Sequence, residues 1–246
     1  MLSSKGFQVI YQSDPSNQEQ VHWLYLEEAK ALEAEGISVS TEADTYSVKL
    51  LYRGGWSSVK NLYDNDIRHI NQYKHLEECN RMSCYLPYIS DLSIETFFVS
   101  DLNDDVELLI KNKGWAKAFI KKDIKSLEHI EDGKSFWPST NFHEMKKLYN
   151  EMQIDGKYAI RKFIEKDIME QEERYWILNG NIYHRNNLIP NIVKEAAKRL
   201  NKIGSKYYTI DATPNFIVEV NPGESSDRHA VNSAELFASW IKKEFA

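Results

Sequence analysis

The chain of 246 residues has few cysteines and no long apolar run. Its two cysteines, Cys79 and Cys84, argue against a disulfide-stabilised scaffold and favour a reducing cytoplasm. No segment reaches the roughly 18 to 20 consecutive apolar residues of a membrane helix, and the N-terminus lacks the apolar core of a secretory signal. A net charge of -6 provides no overall basic field for nucleic acid. These absences favour a cytoplasmic protein that binds neither membranes nor nucleic acid.

Several familiar site motifs are also missing. The absence of G-x-S-x-G argues against a serine hydrolase, and the absence of a Walker A element and of G-x-G-x-x-G excludes P-loop and Rossmann nucleotide sites on motif grounds. His69, His75, Cys79 and Cys84 fall within 16 positions. Their spacing matches no familiar zinc pattern, so buried thiols and helix-surface histidines are favoured over a metal site there.

The first 90 residues or so show the pattern of a parallel β-α-β unit. A strand is predicted at residues 7–11, a turn at Asp14-Pro15-Ser16, and further strands in "ISVS" and in the apolar run 46–56. The predicted helix before Gly36 carries apolar residues at helical spacing, namely Val21, Leu24, Ala31 and Leu32. We therefore predict a small α/β domain over residues 1–95.

From about residue 96 the pattern changes to that of an α+β domain, which we predict to span 96–246. A helix is predicted within 100–115 and strands within 115–127, 157–168, 173–185 and 207–221; two more helices are predicted at 189–204 and 233–246. Asn179-Gly180 is a hairpin signal, and Gly204 is a helix stop. The strands in 207–221 are expected to flank a Thr213-Pro214-Asn215 turn.

This last hairpin carries an unusual set of polar residues. Asp211 ends its first strand, and Glu219 and Asn221 lie on one face of the second strand because side chains alternate along an extended chain. In an antiparallel pair the three can converge, and two carboxylates with an amide oxygen suit Mg²⁺. The alternative is a solvent-facing hairpin, and spacing alone leaves both open.

Basic residues on three other predicted strands are candidates for an anion site. Lys121 ends the apolar strand "AFIK", with Lys125 four residues on, and Arg174 begins the strand "RYWIL". In "AIRKFIEKDI", alternation would place Arg161, Phe163 and Glu165 on one face. The alternative is that the lysines are solvated and the arginines pair with nearby acids, namely Glu165, Glu170, Glu172 and Glu173.

The order of these pieces resembles the ATP-grasp superfamily: "AFIK", "RKFIE", "EERYWILNG" and the D…E-x-N hairpin. Within it, the chain resembles the divergent clade named for two arginines and a lysine, which includes bacterial and phage proteins and the eukaryotic assembly factor for translation initiation factor two. "YRGGW" (52–56) and "FIKKDIKSLEH" are similar to stretches of its bacterial members. The resemblance implies an ATP-grasp fold, with two α+β subdomains gripping ATP, preceded by a small α/β domain.

The resemblance also implies an ADP-forming carboxylate–amine ligase that uses ATP and Mg²⁺ through an acyl phosphate, with a peptide or protein among its possible substrates. Lys121 and Lys125 would contact the phosphates, and Lys162, Phe163, Ile164 and Glu165 would form the hinge beside adenine. Arg161 and Arg174 would reach phosphate or the acyl phosphate. Asp211, Glu219 and Asn221 would hold Mg²⁺ against ATP, while Asp227, Arg228 and His229 would border the acceptor site.

One departure is Arg161, since many ATP-grasp enzymes have an acidic residue at the start of the hinge. The acid that meets the ribose is left open among Asp167, Glu170 and Glu172. Two other functions also remain open: an ATP-binding assembly chaperone that makes no covalent bond, and a ligase acting on nucleic acid or a nucleotide. The net charge of -6 argues against the second of these.

Overall fold

The computed structural model describes residues 6–55, 68–102, 104–123, 136–137, 157–228 and 232–246. Its N-terminal elements are, in chain order, β1 (Phe7–Tyr11), β2 (Ser13–Asp14), β3 (Asn17–Val21), α1 (Leu26–Ala34), β4 (Ser38–Ser40), β5 (Lys49–Arg53), α2 (Tyr73–Asn80) and α3 (Met82–Ile89). Strand β1 lies between β4 and β5, and both pairings are parallel. The predicted β-α-β unit is confirmed.

The predicted start of the first helix is wrong. Val21 ends strand β3, and Leu24 lies in a 3-10 turn, Trp23–Tyr25, so that α1 begins only at Leu26. The Asp14-Pro15-Ser16 turn joins β2 to β3 in a short antiparallel hairpin instead of leading into the helix. Two apolar residues three positions apart fit a helix by chance. Leu24, whose exposed fraction is 61%, does not pack as that pattern requires.

The middle of the chain forms an antiparallel sheet of four strands. Its elements are β6 (Thr96–Val99), α4 (Asp104–Asn112), β7 (Ala118–Lys122), β8 (Phe136–Trp137), β9 (Tyr158–Lys162) and α5 (Lys166–Met169). The strand order is β6-β9-β7-β8. Val106 and Ile110 of α4 pack with Ile120 and Ile160 in one buried cluster, because the hydrophobic face of α4 covers this sheet.

The C-terminal part forms a second antiparallel sheet of four strands. Its elements are β10 (Glu173–Leu178), β11 (Asn181–Tyr183), α6 (Asn191–Leu200), β12 (Tyr207–Ala212), β13 (Ile217–Pro222) and α7 (Ala234–Phe245), with the strand order β11-β10-β12-β13. Asn179 and Gly180 both have positive φ, 50° and 86°, as a two-residue hairpin turn requires. Gly204, at φ 84°, follows α6 and its 3-10 extension, so both turn predictions are confirmed.

The buried core joins segments from distant parts of the chain. Val9 and Leu51 of the N-terminal sheet share a cluster with Trp176 of β10 and Phe237 of α7. Helix α3 packs in a second cluster with β12, β13 and α6. The predicted domain boundary between residues 95 and 96 falls between α3 and β6 and stays a prediction. Across the described ranges, no helix combines the length and apolarity needed to cross a membrane.

Candidate functional site

A cavity of about 520 Å³ opens where the two four-stranded sheets meet. Strands β7 and β9 contribute residues from one sheet, and β13 contributes residues from the other. The lining residues are Ile94, Phe119, Lys121, Arg161, Lys162, Phe163, Ile164, Lys166, Met169, Glu172, Val218 and Glu219. A volume between about 300 and 1,000 Å³ with apolar walls and a few convergent polar groups is typical of a small-molecule site.

A row of three polar residues crosses the C-terminal sheet beside this cavity. Arg174 pairs with Asp211 across β10 and β12, and Asp211 pairs with Glu219 across β12 and β13. The Arg174 Nε and Nη2 atoms donate to the two Asp211 oxygens at 2.7 Å each. Asn221 Nδ2 donates to Asp211 at 3.2 Å and to Glu219 at 3.3 Å. The predicted convergence of Asp211, Glu219 and Asn221 is therefore confirmed.

Lys121 brings a cation from the other sheet to this row. Its side chain is buried, and its Nζ forms an ion pair with Glu219 Oε1. Although burial by itself raises the pKa of Glu219, the charge and hydrogen bond of Lys121 lower it, with Arg161 and Asn221 contributing. Glu219 is therefore ionised at neutral pH, and its charge is balanced across the cleft.

Arg161 is buried in the cavity wall at the neighbouring strand β9. Its Nη2 donates to the Val218 carbonyl at 2.8 Å, and its Nε donates to Thr96 Oγ1 at 3.3 Å. Because both partners are neutral, burial lowers the pKa of Arg161 below its ordinary value. Glu165, which the sequence offers as a partner, pairs with Lys117 at 3.4 Å instead. The Arg161 charge is therefore placed to receive an anionic ligand.

The segment after β9 does not continue the predicted strand alternation. Strand β9 ends at Lys162, and Lys162, Phe163 and Ile164 all line the cavity, whereas Glu165 is exposed at the start of α5. The predicted alternation is thus wrong beyond Lys162: Phe163 lines the cavity with Arg161, but Glu165 does not, because the chain turns towards α5. Lys162 and Phe163 donate their N–H groups to Glu95 and Lys117. In the described part of the chain, the Ile164 N–H and C=O have no hydrogen-bond partner.

Of the three acids considered for the ribose contact, Glu172 is the one that lines this cavity. Neither Asp167 nor Glu170 is among the lining residues. Desolvation raises the pKa of Glu172 to about 7, and the neighbouring charges of Asp211 and Glu219 add to the effect. A carboxyl with this pKa exchanges protons near neutrality and can accept a hydrogen bond from a hydroxyl group.

Solved structures of similar fold include an ATP-grasp ligase, a macrocyclase and a synthetase. ATP-grasp ligase PsnB, complexed with precursor peptide PsnA2 and AMPPNP, is 9% identical with a TM-score of 0.63, covering 100% of this chain and 99% of that chain. Macrocyclase MdnC from Microcystis aeruginosa MRC, bound with precursor peptide MdnA, is 12% identical with a TM-score of 0.63, covering 96% and 99%. D-cycloserine synthetase DcsG is 12% identical with a TM-score of 0.69, covering 98% and 100%.

The chain has the ATP-grasp fold. The resemblance found in the sequence is confirmed at that level, while membership of the clade with two arginines and a lysine stays a prediction. The chain matches no protein-family model and no curated protein. At identities of 9% to 12% these neighbours establish the fold alone.

Of the remaining predicted site residues, the structure describes Asp227 and Arg228. The Asp227 carbonyl accepts from Arg174 Nη1 at 2.9 Å. Arg228 donates to Glu27 Oε2 at 3.1 Å and to the Asn232 carbonyl, so its guanidinium is engaged by N-terminal and loop groups. Lys125 and His229 lie outside the described residues.

His69, His75, Cys79 and Cys84 are not among the residues that line the cavity. Cys79 is buried in the cluster that contains α3, and burial raises the pKa of its thiol and that of Cys84. Among the residues that the structure describes, no three or more His, Cys, Asp or Glu side chains are grouped to hold a metal ion. The hairpin instead offers two carboxylates and one amide.

Sequence reasoning did not settle the place of Glu172 or of Arg53. Glu172 is one of four acids in a short stretch, and spacing does not distinguish which of them reaches the cavity. Arg53 is fully buried and pairs with Glu28 at 2.6 Å. A signal existed for this pair: Arg53 ends an apolar run, and Glu28 lies on the apolar face of α1 with Leu32 four residues on.

Proposed function

We propose that the protein is an ATP- and Mg²⁺-dependent, ADP-forming ligase that joins a carboxylate to an amine. The observation that carries this proposal is the Lys121–Glu219 ion pair, which lies at the meeting of the two sheets on the wall of the cavity. Arg161 and the Arg174–Asp211 pair flank it. Cations and carboxylates gathered beside a mostly apolar cavity suit a nucleotide whose phosphates are bound with a metal ion.

The apolar part of the cavity fits the base and sugar of ATP. Phe163, Ile164, Met169 and Val218 provide its walls. The Ile164 N–H and C=O offer one donor and one acceptor side by side, which complements the amino group and ring nitrogen at the edge of adenine. Glu172, which lines the cavity, would accept a hydrogen bond from a ribose hydroxyl.

The donor set at the hairpin fits Mg²⁺. Asp211 and Glu219 supply hard carboxylate oxygens, and Asn221, whose amide nitrogen donates to both carboxylates, would supply its amide oxygen after rotation of the amide group. When bound, Mg²⁺ would neutralise charge on the phosphates and orient them. Lys121 and Arg174 already contact these carboxylates, so their positive charges lie at the place where phosphate oxygens would need them.

The reaction that follows from this arrangement has two steps. The γ-phosphoryl group of ATP passes to a substrate carboxylate, which gives an acyl phosphate and ADP. An amine then attacks the acyl carbon, and phosphate leaves as the amide forms and a proton is released. Lys121, Arg161 and Arg174 stabilise the negative charge, and Asp227 and Arg228 border the acceptor. A peptide or protein substrate is supported by PsnB and MdnC, which have the same fold and are bound to precursor peptides.

The test is a calorimetric titration with Mg²⁺ and AMPPNP. Wild-type protein is expected to bind, and Glu219→Gln is expected to weaken binding about tenfold or more, since hydrogen bonds to charged groups are worth about 1.5–3 kcal/mol. Glu195→Gln is the matched control, because Glu195 pairs with Arg199 on the surface. Absence of binding by the wild type contradicts the proposal. Stoichiometric binding without any ADP release, together with a stable protein partner, favours the assembly chaperone.

A further inference from the structure

Arg53, in the "YRGGW" stretch, is fully buried outside the cavity lining, and all three of its guanidinium nitrogens donate hydrogen bonds. Its Nε and Nη2 donate to the two Glu28 oxygens at 2.6 and 2.8 Å. The Tyr11 hydroxyl also donates to Glu28, at 2.8 Å. Burial alone would lower the pKa of Arg53, but attraction to Glu28 outweighs it and raises the pKa above its ordinary value. The guanidinium is therefore permanently charged and rigidly placed.

The remaining nitrogen of Arg53 reaches a segment 170 residues away in the sequence. Nη1 donates to the Gly223 carbonyl at 2.6 Å and to the Ser226 carbonyl at 2.7 Å. The neighbouring Gly54 N–H donates to the Glu224 carbonyl at 2.9 Å. These contacts hold residues 223–227, here named the post-hairpin loop, which directly follows the strand that carries Glu219 and Asn221.

The post-hairpin loop is held from its other side by the candidate site itself. Arg174 Nη1 donates to the Asp227 carbonyl at 2.9 Å, while its Nε and Nη2 hold Asp211. One continuous set of contacts thus runs from Glu28 through Arg53 and the loop to Arg174. If the loop shifts, Arg174 loses the partner that fixes the third nitrogen of its guanidinium.

Stability alone does not require an arginine at this position. A buried Arg–Glu pair can often be replaced by uncharged residues with little loss. Only a guanidinium can fork onto a carboxylate with one edge and bind two carbonyls with its other nitrogen. A lysine could keep the charge opposite Glu28, but it could not make all four of these hydrogen bonds.

We propose that Arg53 is a positioning residue for the ligase site: by binding the Gly223 and Ser226 carbonyls it fixes the post-hairpin loop and thereby holds Arg174 against Asp211. This inference rests on the proposed function, because it assigns Arg174 a role with nucleotide phosphates. It gives the N-terminal sheet a part in the reaction beyond structural support.

The test compares two variants that both lose buried contacts in the N-terminal region. Arg53→Met combined with Glu28→Gln removes the guanidinium without leaving a charge unpaired, and the amide introduced by Glu28→Gln keeps an acceptor for Tyr11. Leu32→Ala opens a cavity in α1, where the apolar Leu32 side chain is buried and makes no hydrogen bond to the loop, and is expected to cost about 2–5 kcal/mol. Both are assayed at temperatures where each is fully folded.

The first readout is hydrogen exchange of the loop amides in nucleotide-free protein. The Arg53→Met/Glu28→Gln variant is expected to exchange faster in residues 223–227, whereas Leu32→Ala leaves them at the wild-type rate. The second readout is the affinity for Mg²⁺ with AMPPNP, which is expected to fall on the order of tenfold in the double variant and in Arg53→Lys, but not in Leu32→Ala.

Equal loop exchange in the double variant and the wild type overturns the positioning role. Equal loss of affinity in the double variant and in Leu32→Ala overturns it as well, because it would show a merely structural effect. Failure of the wild type to bind Mg²⁺ with AMPPNP is a different result: it contradicts the proposed function and the catalytic part of this inference, while the exchange readout still decides whether Arg53 fixes the loop.

Discussion

Lys121 and Glu219 come from different sheets and form an ion pair on the wall of the cavity between them. They are 98 residues apart in the sequence. The Lys121 side chain is almost wholly buried, and that of Glu219 is 24% exposed. The pair therefore joins the two sheets. The charge of Lys121 also balances that of Glu219, which is one of the proposed metal ligands.

Replacement of Lys121 by Met is expected to lower the free energy of unfolding by about 1–3 kcal/mol, since Glu219 loses a charged hydrogen-bond partner in a mostly buried place. Urea unfolding of nucleotide-free protein measures this change. The control is Lys111→Met, whose partner Glu107 is exposed and whose loss should cost about 1 kcal/mol or less. A double variant with Glu219→Gln should recover part of the loss, and simple additivity would contradict a direct interaction.

Arg174→Lys tests whether the bidentate hydrogen bonding of Arg174 to Asp211 is required for nucleotide binding. Lysine keeps the charge but cannot donate to both Asp211 oxygens and to the Asp227 carbonyl. The affinity for Mg²⁺ with AMPPNP, measured by calorimetry, should fall about tenfold. Arg199→Lys is the control, because Arg199 lies on the surface with Asp91 and Glu195. Equal affinities for the two variants would show that Arg174 acts only as a charge.

Glu172 predicts a pH dependence of stability. Desolvation raises its pKa from the ordinary 4.5 to about 7, so the folded state holds the proton more tightly than the unfolded state. The nucleotide-free protein should therefore lose stability as the pH rises from about 4.5 to about 7, relative to Glu172→Gln. Urea unfolding in the presence of a chelator should show the variant more stable at about pH 8, with a smaller difference at about pH 5. A difference that does not vary with pH would contradict this.

Gly223 allows the post-hairpin loop to approach a buried aromatic ring. A Cβ atom at this position would lie 2.7–2.8 Å from three ring carbons of Tyr207, whose ring is buried. Gly223→Ala is therefore expected to lower the free energy of unfolding by about 1–3 kcal/mol and to weaken nucleotide binding. Gly6→Ala is the control, since nothing lies within 4 Å of a Cβ there. An unchanged melting temperature for Gly223→Ala would contradict this, because it would show that the Tyr207 ring moves aside at little energetic cost.

The part of the site that could be predicted from sequence is the part built by local pairing. Asp211, Glu219 and Asn221 converge because a short turn sets the register of β12 and β13, and because side-chain alternation puts all three on the same face of the sheet. The partners of Lys121 and Arg161 could not be predicted in this way. Their contacts with Glu219 and Val218 join different sheets, and no local pattern encodes how two sheets meet.

The same reasoning accounts for the errors in the fold. Helical spacing over Val21 and Leu24 failed because a window of a few residues fits a strand and a turn equally well. The alternation that put Glu165 on one face with Arg161 failed because strand β9 already ends at Lys162. Element types in long periodic segments were predictable, whereas their ends depended on tertiary packing.

The central claim is tested most directly by the products formed from ATP. Purified protein is incubated with Mg²⁺, ATP and a pool of peptides and small metabolites from cell extract, the nucleotide products are separated, and adducts are sought by mass spectrometry. The proposed ligase predicts ADP and phosphate together with a product that has lost one water relative to its two parts, all of them absent with Glu219→Gln. AMP and pyrophosphate as the products would contradict the acyl-phosphate mechanism outright.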